Sequence, residues 1–404
     1  MDTGDTAWVL VSAALVMLMT PALGFFYGGL VQRKNVLATI MHSFFILALI
    51  SVQWMLWGYT LAFGPSNGGI IGGFDWIALR GVGMEPGPYA ATIPHQLFMV
   101  FQMTFAVITP ALITGAFAER KRFKAFVVFS LLWATFVYAP VAHWVWAIDG
   151  WIRNTGALDF AGGTVVHISS GVSALVAAAV LGPRLGFRKE AMSPNNITYT
   201  ILGASLLWFG WFGFNAGSAL GANGLAANAF VNTNVAAAMA ALTWMTVSWM
   251  RHGHPSVLGA AVGAVAGLVG ITPAAGFVDA QAALLIGFGA GAFCFFAVDL
   301  LKNVVKLDDA LDVFAVHGVG GIWGALATGL FAQAAVGGVD GLFFGNPGQL
   351  ATQAVAVAVV ASYAGGMTFI IMKAIDVVIG LRVPEQEEVL GLDSTTHGEV
   401  AYQL

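Results

Sequence analysis

The chain has 404 residues, 58% of them hydrophobic and only 9% charged, with a mean hydropathy of +0.83. A water-soluble domain carries roughly 25% charged residues, so a soluble fold is close to excluded; the net charge of −4 says little beside its distribution, and no nucleic-acid partner is expected. The single cysteine, Cys294, excludes an internal disulfide and a cysteine-based metal or redox cluster.

A helix crossing the hydrocarbon layer needs about 20 mostly apolar residues. In chain order eleven stretches meet this: 8–31, 36–62, 95–118, 123–147, 162–182, 197–217, 227–250, 256–275, 280–301, 312–336 and 350–376. The opening MDTGDTAWVL has no basic segment ahead of its apolar run; whether a signal peptide was removed or none existed, the first stretch reads as a true span. The connections alternate in charge. Those after odd-numbered spans, with the chain end, carry 14 of the 16 basic residues, and the even-numbered ones carry only Arg80 and Arg153. The positive-inside rule then places the N-terminus outside and the C-terminus in the cytoplasm of a multi-pass protein of the cell (inner) membrane.

Five spans precede the basic loop at 183–196 and five follow, with one left over. An odd number of spans per half turns the second half upside down, so the expected fold is an all-α membrane protein. It has eleven transmembrane helices, two inverted five-helix repeats plus one extra helix, and a pore at the repeat interface. The expected divisions are 1–182, the loop 183–196, 197–336, the eleventh helix with its preceding loop at 337–376, and a cytoplasmic tail at 377–404. His167 in span five lies eight residues after Asp159, and His317 in span ten lies eight residues after Asp309. Ionisable groups at membrane depth are costly and mark substrate or proton routes. Entering from opposite faces, these two histidines are expected to meet near the bilayer midplane. Asp159, before Gly162, Gly163 and Thr164, reads as a helix cap or as a contact for a cation, and the cap reading also fits Asp309 or Asp312. His42 and His95 read as interfacial, His143 as lying near the outer mouth, and Cys294 as packing. Asn215, Asn223, Asn228, Asn232 and Asn234 read as partners for backbone groups where helices are irregular. No phosphate loop, HExxH motif or nucleophile beside a base is present, so no enzyme, metal or cofactor is expected.

Several long stretches, in order, resemble the Amt/Mep/Rh ammonium transporters, most nearly the bacterial AmtB type. They are FQMTFAVITPALITGAFAER (101–120), AHWVW (142–146), ALDFAGGTVVHISSG (157–171), GWFGFNAGSA (210–219), FVNTNVAA (230–237), DDALDVFAVHGVGGIWG (308–324) and GLRVPEQEEVLGLDSTTHGE (380–399). The resemblance implies a homotrimer with one narrow, hydrophobic pore per subunit, conducting ammonium or ammonia, with methylammonium as an analogue. Carried over by residue, it puts an outer recruitment site at Trp146, Phe105 and Ser218, with Asp159 near the vestibule. It puts a stacked aromatic gate at Phe101 and Phe214 with Phe105 beside it, Trp211 lining the pore below, and the pore histidines at His167 and His317. It also implies that a PII-type signal protein (GlnK) docks on the acidic tail and inserts a loop into the inner mouth. Arg382 and the RVPE turn are expected to hold that tail.

The chemistry fits these residue types. A cation over an aromatic face gains about 0.5–2 kcal/mol, enough to recruit an ion without trapping it. An apolar lumen favours the neutral form of a base. Two imidazoles can share a proton and pass it on. Potassium has no proton to give, so such a pore discriminates where a ring of carbonyls would not. The alternatives are an ammonium sensor signalling through its tail, and an Rh-type gas channel.

Overall fold

The computed structural model describes residues 1–403. Eleven apolar helices follow one another: α1 Thr3–Leu30, α2 Arg33–Phe63, α3 His95–Phe117, α4 (residues 123–146), α5 Gly163–Leu181, α6 Ile197–Gly217, α7 Gly224–His252, α8 Val257–Ile271, α9 Ala280–Val305, α10 Phe314–Phe331 and α11 Pro347–Val378. Ten are long and apolar enough to cross a bilayer alone; α8, with 15 residues, is shorter and is continued by tight turns at 272–277. Two small hairpins on the N-terminal face pair β1 (Ser66–Asn67) with β2 (Ile71–Gly72) and β3 (Pro86–Gly87) with β4 (Ala90–Pro94). Short polar side chains start the helices: Asp2, Asn223, Ser256 and Asp279 accept from free backbone N–H groups of α1, α7, α8 and α9.

Glycine sets how closely the halves approach. On α6 a Cβ at Gly203 would collide with the backbone of Phe26 on α1, and one at Gly213 would lie 2.9 Å from the Ser12 carbonyl. Farther along, a Cβ at Gly171 on α5 would collide with the Gly318 backbone on α10. Close backbone approach is how helices associate where lipid removes the hydrophobic drive. It brings α5 and α10, which run in opposite directions, into contact at the histidines. Both helices begin with a π-helical segment, Gly163–Ile168 and Phe314–Val319, and each histidine lies inside its segment. Such widened turns concentrate at functional sites because they displace a side chain from the regular helical register.

On the tail face, Arg184 of the connecting loop pairs with Glu119 at 2.6 Å and Asp308 at 2.8 Å. Burial opposes both charges. The Arg184–Asp308 bonds outweigh it, leaving the carboxyl below and the guanidinium above their ordinary values. The tail folds back on loops of the same chain as α12 (Glu385–Leu390) and α13 (Leu392–His397). Arg382 pairs with Glu388 at 2.7 Å and donates to the Pro183 carbonyl. Lys34 donates to the carbonyls of Glu388 and Val389. Asp393 accepts from Ala38 N–H at 2.8 Å and so caps α2 from across the chain.

Other polar expectations resolve as follows. Cys294 is buried. His42 and His95 are buried within the protein, each in aromatic company: His42 lies 4.3 Å from Phe126, and His95 bonds Tyr59 at 2.7 Å. His143 is also buried, held between the Ala62 carbonyl and the Ser66 hydroxyl. Asn228 and Asn232 serve the free carbonyls of Ala275 and Val278 at the turns after α8.

Gly203→Ala should lower stability by about 1–3 kcal/mol, because the added methyl meets backbone rather than a flexible side chain. Gly366→Ala, where nothing lies within 4 Å of a Cβ, should be neutral or mildly stabilising. Thermal unfolding of the two variants in detergent compares them directly.

Candidate functional site

The π-helical segments aim His167 and His317 at each other. Their Nδ1 atoms lie 3.2 Å apart, their ring centroids 5.3 Å apart, and the residues are 1% and 4% exposed. A hydrogen bond between two Nδ1 atoms has room for one proton, so one ring is the donor and the other the acceptor. Nε2 of His167 has no partner. Trp211 stacks on His167 at 5.5 Å and is fixed by its own bond to the Thr272 hydroxyl at 2.9 Å. The space at the pair is about 10 Å³, walled by Leu23, Phe26, Ile108, Leu112, Val166 and Val265 among others. That is about the volume one water-sized probe needs, and the wall offers no polar partners beyond the rings.

Toward the N-terminal face a cavity of about 460 Å³ opens, lined by Phe105, Trp146, Asp159 and Ser218, among others. Between the two spaces the rings of Phe105 and Phe214 approach to 4.3 Å. The pairing expected for Phe101 and Phe214 is thereby corrected. Phe101 instead meets Phe105 edge-on at 5.1 Å, because Phe105 stands one turn farther along α3 and reaches Phe214 first. Trp146 lies edge-on to Phe105 at 5.8 Å, and its indole N–H donates to the Asp159 carbonyl at 3.0 Å. Ser218 donates its hydroxyl proton to the Phe214 carbonyl at 2.8 Å, which leaves its oxygen lone pairs for an incoming donor.

The two aspartates at matching positions differ. Gly162 takes φ +121°, a turn that suits glycine. The chain there folds so that the N–H groups of Gly162, Gly163, Thr164 and Val165 and the Thr164 hydroxyl all donate to the Asp159 carboxylate. That carboxylate is saturated and caps α5. Asp309 also caps its helix, accepting from Phe314 N–H at 2.7 Å, but its second oxygen is buried without a partner. Asp312 pairs with Lys302 at 2.6 Å. Burial first, and the Asp312 charge second, push the Asp309 carboxyl up to about 7.

A sequence profile described as the Ammonium Transporter Family matches residues 7–402. The ammonium transporter of Bacillus subtilis (strain 168) is 56% identical, with 100% of this chain and 99% of that protein covered. The ammonium transporter Amt1 of Archaeoglobus fulgidus is 50% identical, with both chains covered completely. Among solved structures, Mep2 of Saccharomyces cerevisiae superposes with a TM-score of 0.89 at 36% identity, over 95% of this chain and 88% of that one. A structure titled Sensor Amt Protein superposes with a TM-score of 0.91 at 30% identity, over 97% and 98%.

The half-satisfied carboxyl of Asp309 gives a pH prediction. Its folded value of about 7 lies above the ordinary 3.8, so the folded state binds this proton more tightly than the unfolded chain. The buried charge destabilises fully above about pH 7, and the penalty is relieved as pH falls toward 4. The melting temperature should rise between pH 8 and pH 6. Asp309→Asn, which keeps the acceptor for Phe314, should raise it at pH 8 and flatten that slope.

Proposed function

The chain belongs to the ammonium transporter family, and from that premise we propose that it draws ammonium into the vestibule, takes its proton and conducts ammonia past the two histidines. The contact of His167 and His317 in a dry lumen carries this reading. Ammonium in hydrocarbon faces a desolvation cost of order tens of kcal/mol. Trp146 and Phe105 offset part of it with ring faces, and the free lone pairs of Ser218 accept one N–H. Asp159 serves by shaping the mouth, since its oxygens are already occupied. Beyond the Phe105–Phe214 rings the lumen admits the neutral base. The imidazole pair accepts the released proton and can pass it between its Nδ1 atoms.

The two five-helix repeats, residues 1–182 and 197–336, form the pore between them, and the eleventh helix at 337–376 packs outside. The basic loops put the tail face in the cytoplasm of the cell membrane and the vestibule outside. There the docked tail, 377–404, offers an acidic surface to a PII-type signal protein of the GlnK kind. Three chains assemble as a homotrimer, each with its own pore. A sensor reading draws support from the likeness to the Sensor Amt Protein and from the tail's contacts with three loops; appreciable flux through the purified protein decides against it.

Methylammonium uptake into proteoliposomes should saturate, and Trp146→Leu should weaken its half-saturation about tenfold, the upper range of a cation–π contribution. His167→Asp should change the current carried per substrate more than it changes fold stability. Uptake that never saturates and ignores Trp146 would favour a gas channel. Removing residues after 383 should alter the transport rate and abolish capture of a PII protein; a truncated protein that keeps both sinks the docking role.

A further inference from the structure

Of the residues lining the vestibule only Asp159 and Arg153 carry charge. The Asp159 carboxylate is shared among five donors of its own loop, whereas Arg153 is exposed and ion-pairs with no carboxylate among the described residues. Arg153 rides on the short helical turn Trp151–Asn154. Its guanidinium donates to the carbonyl of Trp146, the last residue of α4, at 2.8 Å. A cation at a helix C-terminus is well placed on structural grounds alone. It is nonetheless a fixed positive charge in the wall of the space that a cation is proposed to enter, on a face with one other basic residue, Arg80.

We propose that Arg153 sets the balance between capture and proton release at the vestibule, by repelling ammonium while leaving ammonia untouched. This inference rests on the recruitment reading above. A nearby positive charge disfavours the charged form of a base. In the field of Arg153 ammonium therefore binds more weakly than the aromatic faces and Ser218 alone allow, and it gives up a proton more readily. The N–H bond of the substrate breaks, its electron pair stays on nitrogen, and the proton passes to solvent water or to the imidazole pair. The bond to the Trp146 carbonyl fixes where the charge sits relative to the indole that meets the substrate, so the field acts at one place.

Charge and hydrogen bond separate in the choice of substituent. Arg153→Gln keeps a donor for the Trp146 carbonyl and removes the charge; Arg153→Lys keeps both. Native and variant proteins go into liposomes, and uptake of methylammonium is measured as a function of its concentration at low and high salt. At low ionic strength Arg153→Gln should lower the half-saturating concentration about threefold, the scale of an exposed charge interaction, and lower the maximal rate with it. At about 1 M salt, where charges are screened beyond about 3 Å, the two proteins should converge. Arg153→Lys should follow the native protein. A structural role for Arg153 predicts the reverse, a raised half-saturation with a lowered rate and no salt dependence, and that result overturns the proposal, as does an unchanged half-saturation. If native uptake does not saturate or ignores Trp146→Leu, the recruitment reading fails and takes this inference with it. If native uptake saturates and responds to Trp146, an inert Arg153→Gln defeats the role of Arg153 alone.

Discussion

One contact organises this molecule: two imidazoles, 3.2 Å apart between Nδ1 atoms, in a space of about 10 Å³. Polar groups buried in an apolar wall are costly unless they are paired; here one shared proton joins the two Nδ1 atoms, while Nε2 of His167 stays without a partner. The arrangement demands that two helices entering from opposite faces bring their side chains to one point. Gly171 and Gly321 remove the methyls that would hold the backbones apart. The π-helical segments at the starts of α5 and α10 turn both rings inward. Trp211, tied to Thr272, closes the remaining side. A looser crossing would separate the rings and let water in between them.

The helices α5 and α10 open alike, each on a π-helical segment, and differ in chemistry. Asp159 and Asp309 stand at matching places and cap matching helices, yet one carboxylate takes five donors and the other leaves an oxygen bare. A saturated carboxylate fixes the geometry of a loop that must hold Trp146 through its carbonyl. A half-satisfied one remains titratable near neutral pH.

Much of this was legible in the sequence, for identifiable reasons. Apolar length and loop charge are additive along a chain, so the eleven spans and their alternation emerged without any contact being known. The spacing Asp159–His167, repeated as Asp309–His317, located the pair because a cap and a side chain two turns later must move together. The π-helical segments were not legible, since a shift in backbone hydrogen bonding belongs to no single residue. The ring that meets Phe214 was misassigned to Phe101 because Phe101 and Phe105 share a face of α3, and only the depth of α6 against it chooses between them. The burial of His42 and His95 is not legible either, because their partners, Phe126 and Tyr59, are remote in sequence. Arg153 stood out as one of two basic residues on its face, but nothing in the sequence tied it to the Trp146 carbonyl.

The tail face joins these parts. Glu119 closes α3, Asp308 immediately precedes the aspartate that caps α10, and Arg184 belongs to the loop between the halves. Their mutual pairing therefore fixes the start of the helix carrying His317 relative to the end of the helix carrying Phe105. Buried ion pairs add little net stability because desolvation offsets attraction, so their value here is positional. The neighbouring Leu185 N–H donates to Glu388 of the tail at 2.7 Å, and Arg382 holds the same glutamate from the other side. The tail thus rests on the loop that sets the register of the two halves, and moving it disturbs that loop before it disturbs anything in the lumen.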